Sequence, residues 1–199
     1  MKTWMTAWTV GAMLAGGSAA SAQDVQAVGT ALTVRVQVTD YANLSRKELA
    51  TAAYRMAGLD MIWSSAPVES EASDNTVPPS INVRVVIVPR NMTEKKCRAE
   101  GLSDSVMGVA ISGATEARGR IAYIFYDRIE RIAVSQHMPV ARGLGHVMAH
   151  EVGHLLIGVN SHSDQGLMRP NWNPGESRVQ TFTASQVQQI RSRFTASVG

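Results

Sequence analysis

The segment PVARGLGHVMAHEVGHLLIGVNSHSDQGLM, residues 139–168, decides how this chain is read. Its apolar residues Val140, Leu144, Met148, Val152, Leu155 and Leu156 recur at helical spacing, so a long helix is expected, opened by Pro139 and ended at Gly158. All five histidines, 137, 146, 150, 154 and 162, fall in or just before it. Residues four apart on a helix differ by only about 40° around the axis, so His150 and His154 can hold one cation between them. Neutral imidazole suits Zn2+, which in catalytic sites takes three protein ligands and keeps a fourth position for water. Glu151 lies about 100° round from His150, where its carboxylate can reach a zinc-bound water and take its proton.

A third ligand has to come from beyond the helix. Gly158 tolerates φ > 0 and can turn the chain back, and His162 is the next histidine after that turn. Asp164 is the fallback ligand, whereas the neutral amide of Asn160 is a poor zinc donor. His146, one turn before His150, is expected to pack or support the ligands, and His137 to lie on the surface. A glutamate ligand further along would be Glu176, which sits in the loop Asn-Pro-Gly-Glu and not on a second helix. Gly153 costs the helix up to about 1 kcal/mol relative to Ala, which suggests that another element approaches the bare backbone there.

Upstream, ALTVRVQV (31–38) alternates like a half-buried strand. Ser45 and Glu48 have capping-box spacing, and Leu49, Ala52, Ala53 and Met56 extend that helix toward Gly58. Leu59–Trp63 reads as a second strand and 64–80 as a surface loop. INVRVVIVP (81–89) reads as a central strand covered on both faces, and 106–126 as a hairpin around the loop SGATEARGR. Lys95, Lys96 and Arg98 form a short polar stretch, a solvated face rather than a nucleic-acid patch despite a pI near 9.3. Cys97 in it is expected to be a partly buried spare thiol. Thr183 and Gln186 start a closing helix with Val187, Ile190 and Phe194 on its apolar stripe.

The chain has 199 residues, 45% apolar and 18% charged, enough for one globular core and too apolar for disorder. Lys2, an apolar run from Met5 to Ala15 and the small residues Ala20-Ser21-Ala22 read as a secretory signal peptide over 1–22. The run is shorter than the roughly 20 residues a bilayer requires. A secreted or periplasmic protein, free of the membrane after cleavage and monomeric, is therefore expected.

The order His150, Glu151, His154, Gly158, His162 and then Met168 in Gly166-Leu167-Met168-Arg169 resembles the metzincin group of zincin metallopeptidases. In that family glycine stands three residues after the second histidine and the third ligand six after it, whereas here they stand four and eight after His154. No tyrosine follows Met168. The resemblance implies an α+β zincin fold: a twisted mixed sheet with an N-terminal helix and an active-site helix, over 31–158, and a small C-terminal subdomain, 159–199, ending in a helix. It implies a zinc-dependent endopeptidase, with His150, His154 and His162 as ligands, Glu151 as base, and a peptide or protein substrate. By the same resemblance Val106–Ile111 becomes the edge strand of the cleft, while Arg169, Pro170 and Trp172 shape a pocket, Trp172 being open to plain core packing as well. Two alternatives keep the residues but change the outcome: a non-catalytic binding module, and a zinc amide hydrolase acting on a non-protein substrate.

Overall fold

Alternating valines build the sheet. In the computed structural model, which describes residues 33–54, 61–64, 80–113, 120–158, 160–173, 176 and 180–195, strand β1 (Thr33–Asp40) is followed by helix α1 (Arg46–Tyr54) and strand β2 (Met61–Ser64). Strand β3 (Ser80–Val88), helix α2 (Arg90–Glu100), strands β4 (Gly108–Ser112) and β5 (Arg120–Phe125), and helices α3 (Tyr126–Ser135), α4 (Val140–Ile157) and α5 (Ala184–Thr195) complete it. The signal-like segment 1–22, the turn at Gly58 and the loops 65–79 and 114–119 lie outside the described residues. Among the described residues no helix is long and apolar enough to cross a membrane.

The fold is α+β, with one mixed sheet in the order β2-β1-β3-β5-β4. The first four strands in that order run parallel, and β4 returns antiparallel to β5, so the expected hairpin is present and β4 is a sheet edge. One face, carrying Val34, Val36, Ile81, Val83, Val85, Ile87, Ala122 and Ile124, packs against α4. Leu144, Met148, Leu155 and Leu156 of that helix are at most 1% exposed. Each contributes about 1.5–3 kcal/mol on burial, which is why a helix containing three glycines still holds its place.

Four expectations need correction. β3 is central, but it is covered on both faces only over Val85–Val88: Asn82 and Arg84 alternate out to solvent. The polar stretch after Pro89 is helix α2. It buries only Thr93 and Cys97, so its apolar stripe is too thin to read, while the (i, i+4) pairs Arg90–Glu94 and Lys96–Glu100 and the left-handed Gly101 cap are the signals that mark it. Cys97 is accordingly buried, not partly exposed, in a small cluster with Val86, Val88 and Phe125 on the second sheet face. Finally, the β-branched run after Arg120 stops at Phe125, and Tyr126 already begins α3, whose Ile129 and Ala133 face the interior one turn apart.

The segment after α4 closes under it. Gly158, at φ 127°, ends the helix, and its N–H donates to the His154 carbonyl. Gly166, at φ 72°, turns the chain so that Leu167 N–H donates to the Thr181 carbonyl, and Met168 is fully buried below α4. Met168 and Phe182 touch the helix at Gly153, where a β-carbon would collide with the Met168 sulfur and lie 2.9 Å from the Phe182 ring. This is the close approach that the helix-weakening glycine implied. Gly153→Ala should gain up to about 1 kcal/mol of helix propensity but lose about 1–3 kcal/mol to overpacking. The urea midpoint of the metal-free protein should fall, and a midpoint at or above wild type would contradict this packing. The expected capping box of α5 is present: Thr183 N–H donates to Gln186 Oε1 at 2.8 Å and Gln186 N–H to Thr183 Oγ1 at 3.3 Å.

Candidate metal centre

Three imidazoles meet at one point. His150 and His154 project from successive turns of α4 with Nε2 atoms 3.1 Å apart, and His162, returned by the loop after Gly158, brings its Nε2 to 3.2 Å from that of His154. The candidate ligand atoms all lie within 4.8 Å of one another. Nitrogens held 2.0–2.1 Å from a tetrahedral ion are about 3.3 Å apart, so the 3.1 and 3.2 Å separations about His154 fit a shared cation.

Proton counting leads to the same place. His150 Nδ1 lies 2.9 Å from the Leu167 carbonyl, a pure acceptor, so it carries the proton and leaves a lone pair on Nε2. His154 faces both other rings through its single Nε2, which at most can donate one proton to one of them. Hydrogen bonds among the rings therefore cannot satisfy all three nitrogens, whereas a cation accepting three lone pairs can. Burial, reinforced by the neighbouring rings, pushes His154 down to about 4, and burial also lowers His150. Both rings stay neutral near pH 7, the form in which imidazole binds a metal.

Glu151 occupies the adjoining side of the helix. It is only 8% exposed, lines the same cleft as the histidines, and lies against β4 at Gly108. Burial raises its pKa to about 7, with a backbone hydrogen bond from Ala110 acting in the opposite direction. A carboxyl group balanced near neutrality beside a cluster of metal-ligating rings is equipped to take and return a proton. The absence of a side chain at Gly108 makes room for it: a β-carbon there would sit 2.7 Å from Glu151 Cγ and 3.0 Å from Oε1. Gly108→Ala should therefore displace the carboxylate without touching the three rings. Zinc titration should be unchanged while any hydrolytic turnover drops, and unaltered turnover would show that Glu151 tolerates the shift.

The cleft holds about 650 Å3 between β4, with the segment leading into it, and α4 with the loop 169–172. Its rim is fixed by buried Arg128, which donates to the Ser103 and Val106 carbonyls and pairs with Asp104 at 3.2 Å. On the opposite wall Trp172 stacks on His146, ring centroids 4.4 Å apart at 15°. Trp172 thus both lines the cleft and packs on α4 near Gly143. Burial, followed by the influence of His150 and Arg142, holds His146 down to about 3, so it is a neutral packed ring outside the cluster.

The remaining candidates separate clearly. Asp164 is exposed and not part of the histidine cluster. Asn160, with φ 62°, lines the cleft as the left-handed residue of the return loop. His137 is exposed in the turn before α4. Glu176 accepts from Arg169 at 2.9 Å and from Gln180 at 2.6 Å, a pairing that occupies both its oxygens away from the rings. Two contributors had no evident sequence signal: the Leu167 carbonyl that orients His150, and Ser161, whose Oγ lies 3.0 Å from His154 Nδ1. Compared with models of known protein families and with curated proteins, the chain matches none.

Proposed function

We propose that this protein is an exported zinc-dependent endopeptidase of metzincin-like design. The observation that carries the reading is the convergence of three histidine Nε2 atoms beside a buried Glu151 in an open cleft. Met168, buried beneath the helix at Gly153, adds the methionine expected under such a centre. Three imidazole nitrogen donors suit Zn2+, which when bound supplies Lewis acidity toward a substrate carbonyl and makes water easier to deprotonate.

The chain's own groups account for the other steps. Strand β4 pairs with β5 on one side only and lines the cleft, so an extended peptide can lie along its outer edge. Glu151 takes a proton from water as its oxygen bonds to the carbonyl carbon. The same carboxyl returns that proton to the departing amide nitrogen as the C–N bond breaks, so no net proton is lost or gained at the protein. Buried Leu167 and Met168 exclude solvent from beneath the rings.

The test is a peptide-library digest by zinc-loaded protein. Cleavage should occur, stop on chelation and return with added Zn2+. Stoichiometric zinc binding with no turnover of any peptide would instead favour a binding module.

A further inference from the structure

His154 is gripped at both ring nitrogens by consecutive residues of one loop. Its Nε2 is 3.2 Å from His162 Nε2, and its Nδ1 is 3.0 Å from Ser161 Oγ. The loop reaches both ends because it reverses tightly: Gly158 has φ 127° and Asn160 φ 62°, conformations open to glycine and tolerated by asparagine. A neutral imidazole has one N–H, and a ring that presents a bare Nε2 must carry it on Nδ1. In a half-buried setting that N–H needs an acceptor. For His150 the acceptor is a backbone carbonyl, that of Leu167, but for His154 it includes a side chain that can be changed.

We propose that Ser161 is a positioning residue of the metal centre: its hydroxyl accepts the Nδ1 proton of His154 and holds the tautomer and ring angle that aim the Nε2 lone pair at the cation. This rests on reading the histidine cluster as a metal site. The longer spacing from His154 to His162 thus has a use of its own, since the same return that delivers a third ring also delivers the orienting hydroxyl of the second. The Gly158 backbone bonds this ring too, so the loop holds it at two points and removal of one weakens the site without erasing it. Outer partners of ligating histidines are worth about 10–100-fold in metal affinity, and the shared support puts Ser161 at about tenfold.

The experiment titrates Zn2+ against a chromophoric chelator on the full protein, on Ser161→Ala and on Ser161→Thr, and records the visible Co2+ spectrum of each. Ser161→Ala should bind Zn2+ about tenfold more weakly and shift the Co2+ bands, while Ser161→Thr, which keeps the hydroxyl, restores both. Wild-type zinc binding with an unchanged affinity and spectrum in Ser161→Ala overturns the role of Ser161 alone and assigns the orientation to Gly158. Equal weakening in both variants also overturns it, because the hydroxyl is then not what matters. A wild-type protein that takes up no stoichiometric zinc removes the metal-site reading and this inference together.

Discussion

Replacing Glu151 by Ala should lower peptide hydrolysis by roughly 10²–10⁴-fold, the usual worth of a positioned general base, while zinc content stays at wild type. The two effects separate because Glu151 stands beside the three-ring cluster rather than in it: the convergent atoms belong to His150, His154 and His162, and the carboxylate lies on the adjoining side against Gly108 and Ala110. Its burial is what makes it effective, since desolvation raises its pKa to about 7, where a carboxylate is a far better proton acceptor than one in water. The same burial means that alanine at this position removes a desolvated acid and leaves no charge to compensate, so the fold should persist. Steady-state rates on a cleaved library peptide, together with metal analysis and circular dichroism of the variant, check all three statements. Hydrolysis surviving at near wild-type rate would remove Glu151 from the mechanism.

His154→Ala should weaken zinc binding by more than about 100-fold, because loss of an outer partner alone costs 10–100-fold and this change removes a ligand. His154 is the central ring of the three, the one whose Nε2 approaches both others, and it is also the ring that Ser161 and Gly158 orient. Asp164→Ala is the matched control. That carboxylate is exposed and apart from the rings, so its removal should leave affinity unchanged. Competition titration on the two variants checks the pair of expectations. Loss of zinc in Asp164→Ala with retention in His154→Ala would invert the ligand assignment.

The parts of this protein that were legible in the sequence are those where local pattern and tertiary role coincide. The period-two valines of β1, the capping box of α5 and the helical stripe of α4 each serve the core directly, so pattern alone finds them. The (i, i+4) histidines were legible for the same reason, since helical geometry by itself brings His150 and His154 together. His162 was legible only through the glycine that turns the chain toward it.

What escaped detection depends on partners distant in sequence. α2 buries just Thr93 and Cys97, so its stability comes from its Gly101 cap, side-chain pairs and contact with the second sheet face rather than from an apolar stripe. α3 follows β5 without a break, and the residues Tyr-Asp-Arg-Ile after Phe125 continue a β-like composition into a helix that α4 stabilises by packing. The orientation of His150 by a backbone carbonyl has no residue type to betray it, and the place of Gly108 under Glu151 arises only when the β4 edge is laid against α4.

X-ray absorption at the zinc edge of the loaded wild-type protein probes the ligand sphere itself. Three imidazole nitrogens at about 2.0–2.1 Å and one further light-atom neighbour are expected, with one zinc per chain. A first shell of two imidazoles or fewer, or four protein ligands with no position left for water, would contradict the catalytic reading at its root.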